Sequence, residues 1–418
     1  MNTAIDRTRL FNASCFALIT TSMTFAIRAG ILTQLGTQFG LSNTQLGYIN
    51  TMAFLGFPVA MIIGGPLYNA LGPKRIIWVA FFAHVLGLVM TIFAGGFWTL
   101  ILSSFFVGFG NGMVEAACNP MIASMYKGNE TTKMLNRFHM WFPGGIVIGS
   151  LASEFMRAQG ILGQSQVALI LIPTLVYGFL FLGQPFPVSQ VEGAASTGQN
   201  FRAMLSPLYL TIFLCMALTA ISEFGPQQWV GPILGATGAS PLLILALVTG
   251  LMAVGRYFAG PIVHRLNATG VLLGSAIFTT IGIVLMSRAE GPMVYVSAMI
   301  FALGVCYFWP TMIGFVAEYI PQAGALGMSI VGGMGMFATS LFQPVIGGWL
   351  DGEKTLAAKN GLVGPAADLA AGQATLDNMA VFPAILVVVF GVLYVVMRNR
   401  QAAQANELIT SVKGIGSN

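Results

Sequence analysis

The stretch "GGPLYNALG", residues 64–72, ends an apolar run with Gly-Pro and leads into Lys74 and Arg75. It reappears 195 residues later as "AGPIVHRLN", residues 259–267, which aligns Gly65-Pro66 with Gly260-Pro261. The same offset lays "RAGILTQLG" (28–36) on "EFGPQQWVG" (223–231), matching Gly30 with Gly225 and Gly36 with Gly231. Glycine matches of this length arise by chance, but one offset shared by two of them points to a duplicated half. Parallel repeats of this kind place a substrate site near the bilayer midplane, between the halves.

The composition fixes the solvent. Of 418 residues 56% are hydrophobic and only 7% charged, and mean hydropathy is +0.81, far outside the soluble range. Apolar runs long enough to cross roughly 30 Å of hydrocarbon as helices recur from end to end, without the alternation of barrel strands. The runs predict twelve spans, at 10–39, 43–71, 76–95, 97–126, 134–158, 166–184, 205–233, 240–263, 268–288, 291–318, 323–350 and 377–398. The expected fold is an all-α membrane protein of two pseudo-symmetric six-helix bundles. Its divisions are an N-terminal bundle (1–184), a cytoplasmic linker rich in Pro, Gly and Ser (185–204), a C-terminal bundle (205–398) and a disordered cytoplasmic tail (399–418). The polar stretch 351–375 is expected as a loop on the outer side.

Charge sorting orients the chain. Arg7, Arg9, Lys74, Arg75, Lys127, Lys133, Arg137, Arg202, Arg265, Arg398, Arg400 and Lys413 lie at the N-terminus, in or beside even-numbered loops, or in the tail. The other loops hold Arg157, Arg288, Lys354 and Lys359. By the positive-inside rule both termini are cytoplasmic, and the basic pI reports topology instead of nucleic-acid binding. Cys15, Cys118, Cys215 and Cys306 sit in apolar spans without CxxC spacing, so neither disulfides nor a metal site is indicated. No cofactor is implied, and no HExxH or GxSxG supports an enzyme. A monomer in a bacterial inner membrane is expected.

"GPLYNALGPKR" is similar to the loop signature of the major facilitator superfamily, with Asn69 where that family usually has Asp. Gly65, Asn69, Gly72, Lys74, Arg75 and, in the second half, Arg265 are thereby candidates for a cytoplasmic gate loop. "VEAACNP" with "LNRFHMWFPGG", "FWPTMIGFVAEYI" and the "GR" of "VGRYFAG" resemble the fucose/glucose/galactose proton symporters of that superfamily. That resemblance implies alternating access, a small sugar moved with protons, and Glu115 at the place of the family's span-four glutamate. The family's span-one aspartate has no counterpart here, where "FAIRAGIL" carries Arg28.

Ionised side chains inside a span cost roughly 3 kcal/mol on insertion scales, so Arg28, Glu115 and Glu223 must face a cavity or a partner. Asn111, Glu115 and Asn119 follow i, i+4, i+8, as do Thr219, Glu223 and Gln227, giving each span one polar stripe. In the superfamily arrangement these stripes converge on a central cavity. Two acids facing one base leave one uncompensated charge, so Glu115 and Glu223 are candidates for proton coupling; the structural alternative for Glu115 is a pair with Arg28. For Arg28 the readings are a counter-ion to a glutamate, which is favoured, or a fork for an anionic substrate. Gln227, Gln228 and Trp229 suit sugar hydroxyls and a pyranose face, or else interhelical hydrogen bonds with an interfacial tryptophan. Asn119, Asn136, His139, Tyr307 and Trp309 complete the candidate substrate contacts. Pro120 and Pro310 interrupt the helical ladders of spans four and ten, and His84 and His264 read as packing residues. The expected function is secondary transport of a small polar solute, a monosaccharide first and an organic anion or uncoupled passage as alternatives.

Overall fold

The computed structural model describes residues 5–126, 134–135, 137–161, 163–187 and 197–415; side chains at 65, 66, 69, 197–199, 259–264, 325 and 400–415 are outside that description. Ten helices among the described residues are long and apolar enough to cross a membrane. With Trp141–Ala158 and the shorter apolar Pro241–Tyr257 they make up the twelve expected. Span one is Arg7–Phe39, span four Phe97–Met125, span seven Pro207–Gln228 and span eleven Gly324–Lys359.

The duplicated loops show their kinship in the backbone. Spans two and three form one helical run, Asn43–Ile92, broken at Gly72 with φ 76°. Spans eight to nine break at Asn267 with φ 53° inside Ala259–Met286. Gly72 and Asn267 are the residues that the 195-residue offset superposes, and both combine a positive φ with an extended ψ, a conformation that glycine tolerates best. The Asn267 amide oxygen accepts from Thr269 Oγ1 at 2.8 Å and from the Gly270 N–H at 3.0 Å, which holds the turn.

Several expected boundaries move. Residues 351–375 are not an open loop: the span-eleven helix runs to Lys359, and a new helix starts at Pro365. Ala, Leu, Glu and Lys dominate the first piece and Ala the second, and these are strong helix formers however polar the mean. The same preference carries the last helix through Ile415, so the tail expected as disordered is helical to that point. Thr197–Met204 is helical inside the expected linker, while residues 188–196 lie outside the described residues. Span six opens with a 3-10 stretch, Gly163–Ile170, before Leu171–Phe181. Span five is continuous only from Trp141, which puts Pro143 in its first turn, where a missing N–H costs nothing. Span ten is two helices, Met293–Val305 and Phe308–Tyr319, whereas span four bends past Pro120 without interruption.

The halves meet most tightly at the face opposite the termini. Asp351 of span eleven receives four hydrogen bonds from the first residues of span two: Asn43 N and Nδ2 at 3.0 and 2.9 Å, Thr44 N and Oγ1 at 2.8 and 2.7 Å. The carboxylate thus caps orphan amides where the helix dipole is positive. Below it, Asn50 Nδ2 donates to Gln343 Oε1 at 3.3 Å and Thr51 Oγ1 to the Ser340 carbonyl at 2.7 Å. Backbones come this close because of glycine: a Cβ on Gly347 would overlap the Asn43 carbonyl, and one on Gly47 the Pro344 backbone. Glu115, Asn119 and Trp309 are half-exposed, and Gly314 and Gly333 have open space where a Cβ would stand.

Hydrogen bonds to a charged acceptor are worth about 1.5–3 kcal/mol each, so the Asp351 cap is a large part of this closure. Asp351→Ala is expected to raise labelling of a cysteine placed at Thr51 by a membrane-impermeant thiol reagent by about tenfold, the equivalent of ~1.4 kcal/mol. An unchanged rate would show that the cap does not hold the face shut.

Candidate functional site

The polar stripes do not all face one chamber. In span four, Asn111 is fully buried within the first bundle, where its Nδ2 donates to Thr24 Oγ1 at 3.0 Å and its Oδ1 lies 2.9 Å from His84 Nε2. His84 Nδ1 lies 3.0 Å from the Tyr177 hydroxyl. If Nε2 carries the proton, every member is satisfied: Tyr177 donates to Nδ1, Nε2–H to Asn111, Asn111 to Thr24, and Thr24 to the Thr21 carbonyl at 2.6 Å. The chain ties spans one, three, four and six together. Four residues advance an α-helix by about 40° beyond a full turn, so Asn119 is rotated by roughly 80° from Asn111. Glu115 and Asn119 accordingly turn out of the bundle core and are half-exposed, with Asn119 Nδ2 donating to Glu115 Oε2 at 2.6 Å and Asn119 Oδ1 left without a partner among the described residues.

Arg28 and Glu223, which occupy equivalent places in the repeat, do not pair. Arg28 is 9% exposed, and its Nη2 donates to Gln228 Oε1 of the opposite half at 2.9 Å. Its Nε has no acceptor. The guanidinium carbon lies 5.2 Å from the Phe25 ring centroid and 5.5 Å from that of Phe54. Among the described residues Arg28 makes no ion pair, so the favoured expectation of a glutamate counter-ion is not met. The first bundle supplies an apolar wall instead: a cavity beside Arg28 is lined by Ile27, Ile31, Leu35, Ile49, Leu88 and Val107, with Thr24, Thr91 and Ser104 as polar points.

Glu223 is buried and finds its cation on span eight, with Arg256 Nη2 3.7 Å from Oε1. Sequence reasoning missed this contact, although two charges on neighbouring apolar spans were the available signal. Phe25, Phe54, Phe57, Phe224 and Met336, with Phe142 and Trp309 against them, form an aromatic ceiling contributed by both halves. Trp309 meets Phe224 edge-on at 6.2 Å.

The residues expected to hold a sugar are differently employed. Gln227 Nε2 points to Met252 Sδ at 3.8 Å. Gln228 is bound to Arg28, and Trp229 is completely buried with Nε1 donating to Gln343 Oε1 at 2.8 Å. The ring that was to lie under a pyranose is instead buried in the second bundle and bonded from span seven to span eleven, because its N–H needs an acceptor once buried. Tyr307 donates to the Gly255 carbonyl at 2.9 Å. His139 is exposed near the terminal face against Phe138, and Asn136 lies outside the described residues. Of the gate-loop candidates, Lys74, Arg75 and Arg265 are exposed and Gly72 forms the break; the side chains of Gly65 and Asn69 lie outside the described residues. Asn50, Gln343 and Asp351 were missed, yet Asn50 and Gln343 carry the same signal as Glu115, a polar side chain deep in an apolar span.

Residues 14–343 match the model of the Major Facilitator Superfamily. The chain belongs to that superfamily. The curated relatives it matches are transporters. The chain is 28% identical over 157 residues to the sphingosine-1-phosphate transporter SPNS2 of Danio rerio, covering 34% of this chain and 31% of the relative. It is 22% identical over 153 residues to myo-inositol transporter 1 of Candida albicans, covering 36% and 28%. The chain thus matches about three tenths of the length of these curated relatives. Among solved structures, a bacterial homolog of the human lysosomal transporter Spinster, inward-facing and unoccupied, aligns at TM-score 0.76 and 15% identity over 93% of this chain and 97% of the other. At that identity the likeness speaks for the major facilitator fold alone.

Removing His84 would strand Asn111 and Tyr177 in a buried site. His84→Ala is expected to lower the stability of the purified protein by about 2–4 kcal/mol through the cavity and the unpaired groups. Thermal melting in detergent measures this, and a melting temperature equal to that of the wild type would contradict the network.

Proposed function

We propose that this superfamily transporter moves a small organic anion with an apolar portion, and that Arg28 supplies the charge that receives it. The carrying observation is the guanidinium itself, buried with a neutral amide as its one hydrogen-bond acceptor among the described residues and with Nε unpartnered there. An unpaired charge away from water is costly, and a carboxylate or phosphate would meet the fork with two hydrogen bonds. The apolar cavity beside Arg28 supports a cargo whose remainder is hydrocarbon. Similarity to a sphingosine-1-phosphate transporter supports the same class.

Charge sorting favours a cytoplasmic terminal face, and the half-exposure of Glu115, Asn119 and Trp309 supports a state open to the cytoplasm. When the halves part at the opposite face, the Arg28 to Gln228 bond must break, which hands the fork to a ligand entering there. Glu115, half-exposed and gripped by Asn119, is the proton-coupling candidate that cargo and solvent can reach in this state. Glu223 is the buried one. We place the chain in a bacterial inner membrane as a monomer.

A second reading is the neutral monosaccharide implied by the resemblance to fucose/glucose/galactose proton symporters. The myo-inositol relative favours it. In that reading Gln227, Gln228 and Trp229 become available only after the seal opens.

A ligand that binds only the folded protein stabilises it by about 2.7 kcal/mol at a hundred times its dissociation constant. Butanoate and octanoate are expected to raise the melting temperature of the purified wild type while glucose and myo-inositol do not, and Arg28→Gln is expected to abolish the carboxylate effect. Stabilisation by the polyols alone, or by carboxylates equally in Arg28→Gln, would overturn the anion reading.

A further inference from the structure

We propose that Arg256 is a positioning residue through which the charge on Glu223 sets the geometry of the break in span ten. This inference does not depend on which cargo is carried. Pro310 has no N–H, so the carbonyl four residues earlier, that of Cys306, loses its intrahelical donor. Span ten is interrupted at that place, between Val305 and Phe308. A bare carbonyl in a membrane protein needs a partner. Arg256 supplies one, donating from Nε to the Cys306 carbonyl at 2.9 Å.

The same guanidinium extends Nη2 toward Glu223 Oε1 at 3.7 Å, beyond hydrogen-bond length. Glu223 Oε2 is buried without a partner. One fork therefore stands between two acceptors, fully engaged with span ten and short of contact with span seven. An ionised Glu223 pulls the fork toward span seven; a protonated Glu223 leaves it on the freed carbonyl. The break is otherwise lashed to span eight by Tyr307 Oη on the Gly255 carbonyl at 2.9 Å and by Cys306 Sγ near the Met252 carbonyl at 3.5 Å. Movement of Arg256 is thus transmitted to span ten along with the last turn of span eight. Among the described residues the cation facing Glu223 is Arg256 of span eight, and the Cys306 thiol of span ten lies beside that contact. Tyr307 lies next to Cys306, and Arg28 of span one is committed to Gln228.

Lysine keeps the charge but has no planar fork to offer two acceptors at once. That difference separates positioning from charge balance. The test is amide hydrogen exchange across residues 303–312 of the purified protein, corrected for intrinsic rates, over the range in which protein carboxyl groups titrate, roughly pH 4 to pH 8. In the wild type, exchange at the break is expected to change by about threefold or more across that range, and Glu223→Gln to remove the change. Arg256→Lys and Arg256→Gln are both expected to remove the pH dependence with Glu223 intact. The proposal fails if the wild type shows no pH dependence, if Arg256→Lys retains it in full, or if the Arg256 variants raise exchange by one constant factor with the pH dependence preserved. The first and last of these results would leave Arg256 as a structural prop.

Discussion

A guanidinium held between the two halves, with a neutral amide for its partner, sets the terms for the rest of this molecule. Arg28 is nearly excluded from water, and its one described acceptor, Gln228, belongs to the other bundle. Aromatic faces of Phe25 and Phe54 offset part of the cost of burial. The rest can be met only by water or by an anion, and either requires the bundles to separate on that side. The position of one charge therefore links closure of the seal to occupancy of the site.

The seal itself is built so that it can be undone. Its bonds join a carboxylate to a helix end, amides to amides, and a hydroxyl to a carbonyl, all groups that water satisfies when the halves part. Asp351 over Asn43 and Thr44, Asn50 with Gln343, and Thr51 with Ser340 follow the length of spans two and eleven. Inside each bundle the polar contacts are of another sort. The Thr24, Asn111, His84 and Tyr177 chain lies wholly in the first half and is closed to solvent, which suits a bundle that moves as a rigid body.

Much of the architecture was legible because the bilayer demands it. Apolar length predicts the spans, and the duplicated loops predict the matched turns at Gly72 and Asn267. The partners of the central charges were not legible. Helical spacing tells which residues share a face but not how far that face is turned toward a neighbouring helix. A spacing of i, i+4, i+8 drifts enough that Asn111 enters a bundle core while Asn119 is half-exposed. Nor does charge counting show that Arg256 on span eight reaches Glu223 before Arg28 does, since that depends on which helices the fold sets side by side. The helical ends after Asp351 and Arg400 were obscured by polarity, although their alanines and leucines favour helix.

The most direct measurement is a structure of the protein held open at the face opposite its termini, with octanoate present at saturation. The account predicts that Gln228 has left Arg28, and that the carboxylate lies on the guanidinium with its alkyl chain along Ile27, Ile31 and Leu35. A guanidinium turned onto Glu115 or Glu223, with octanoate elsewhere or absent, would contradict it.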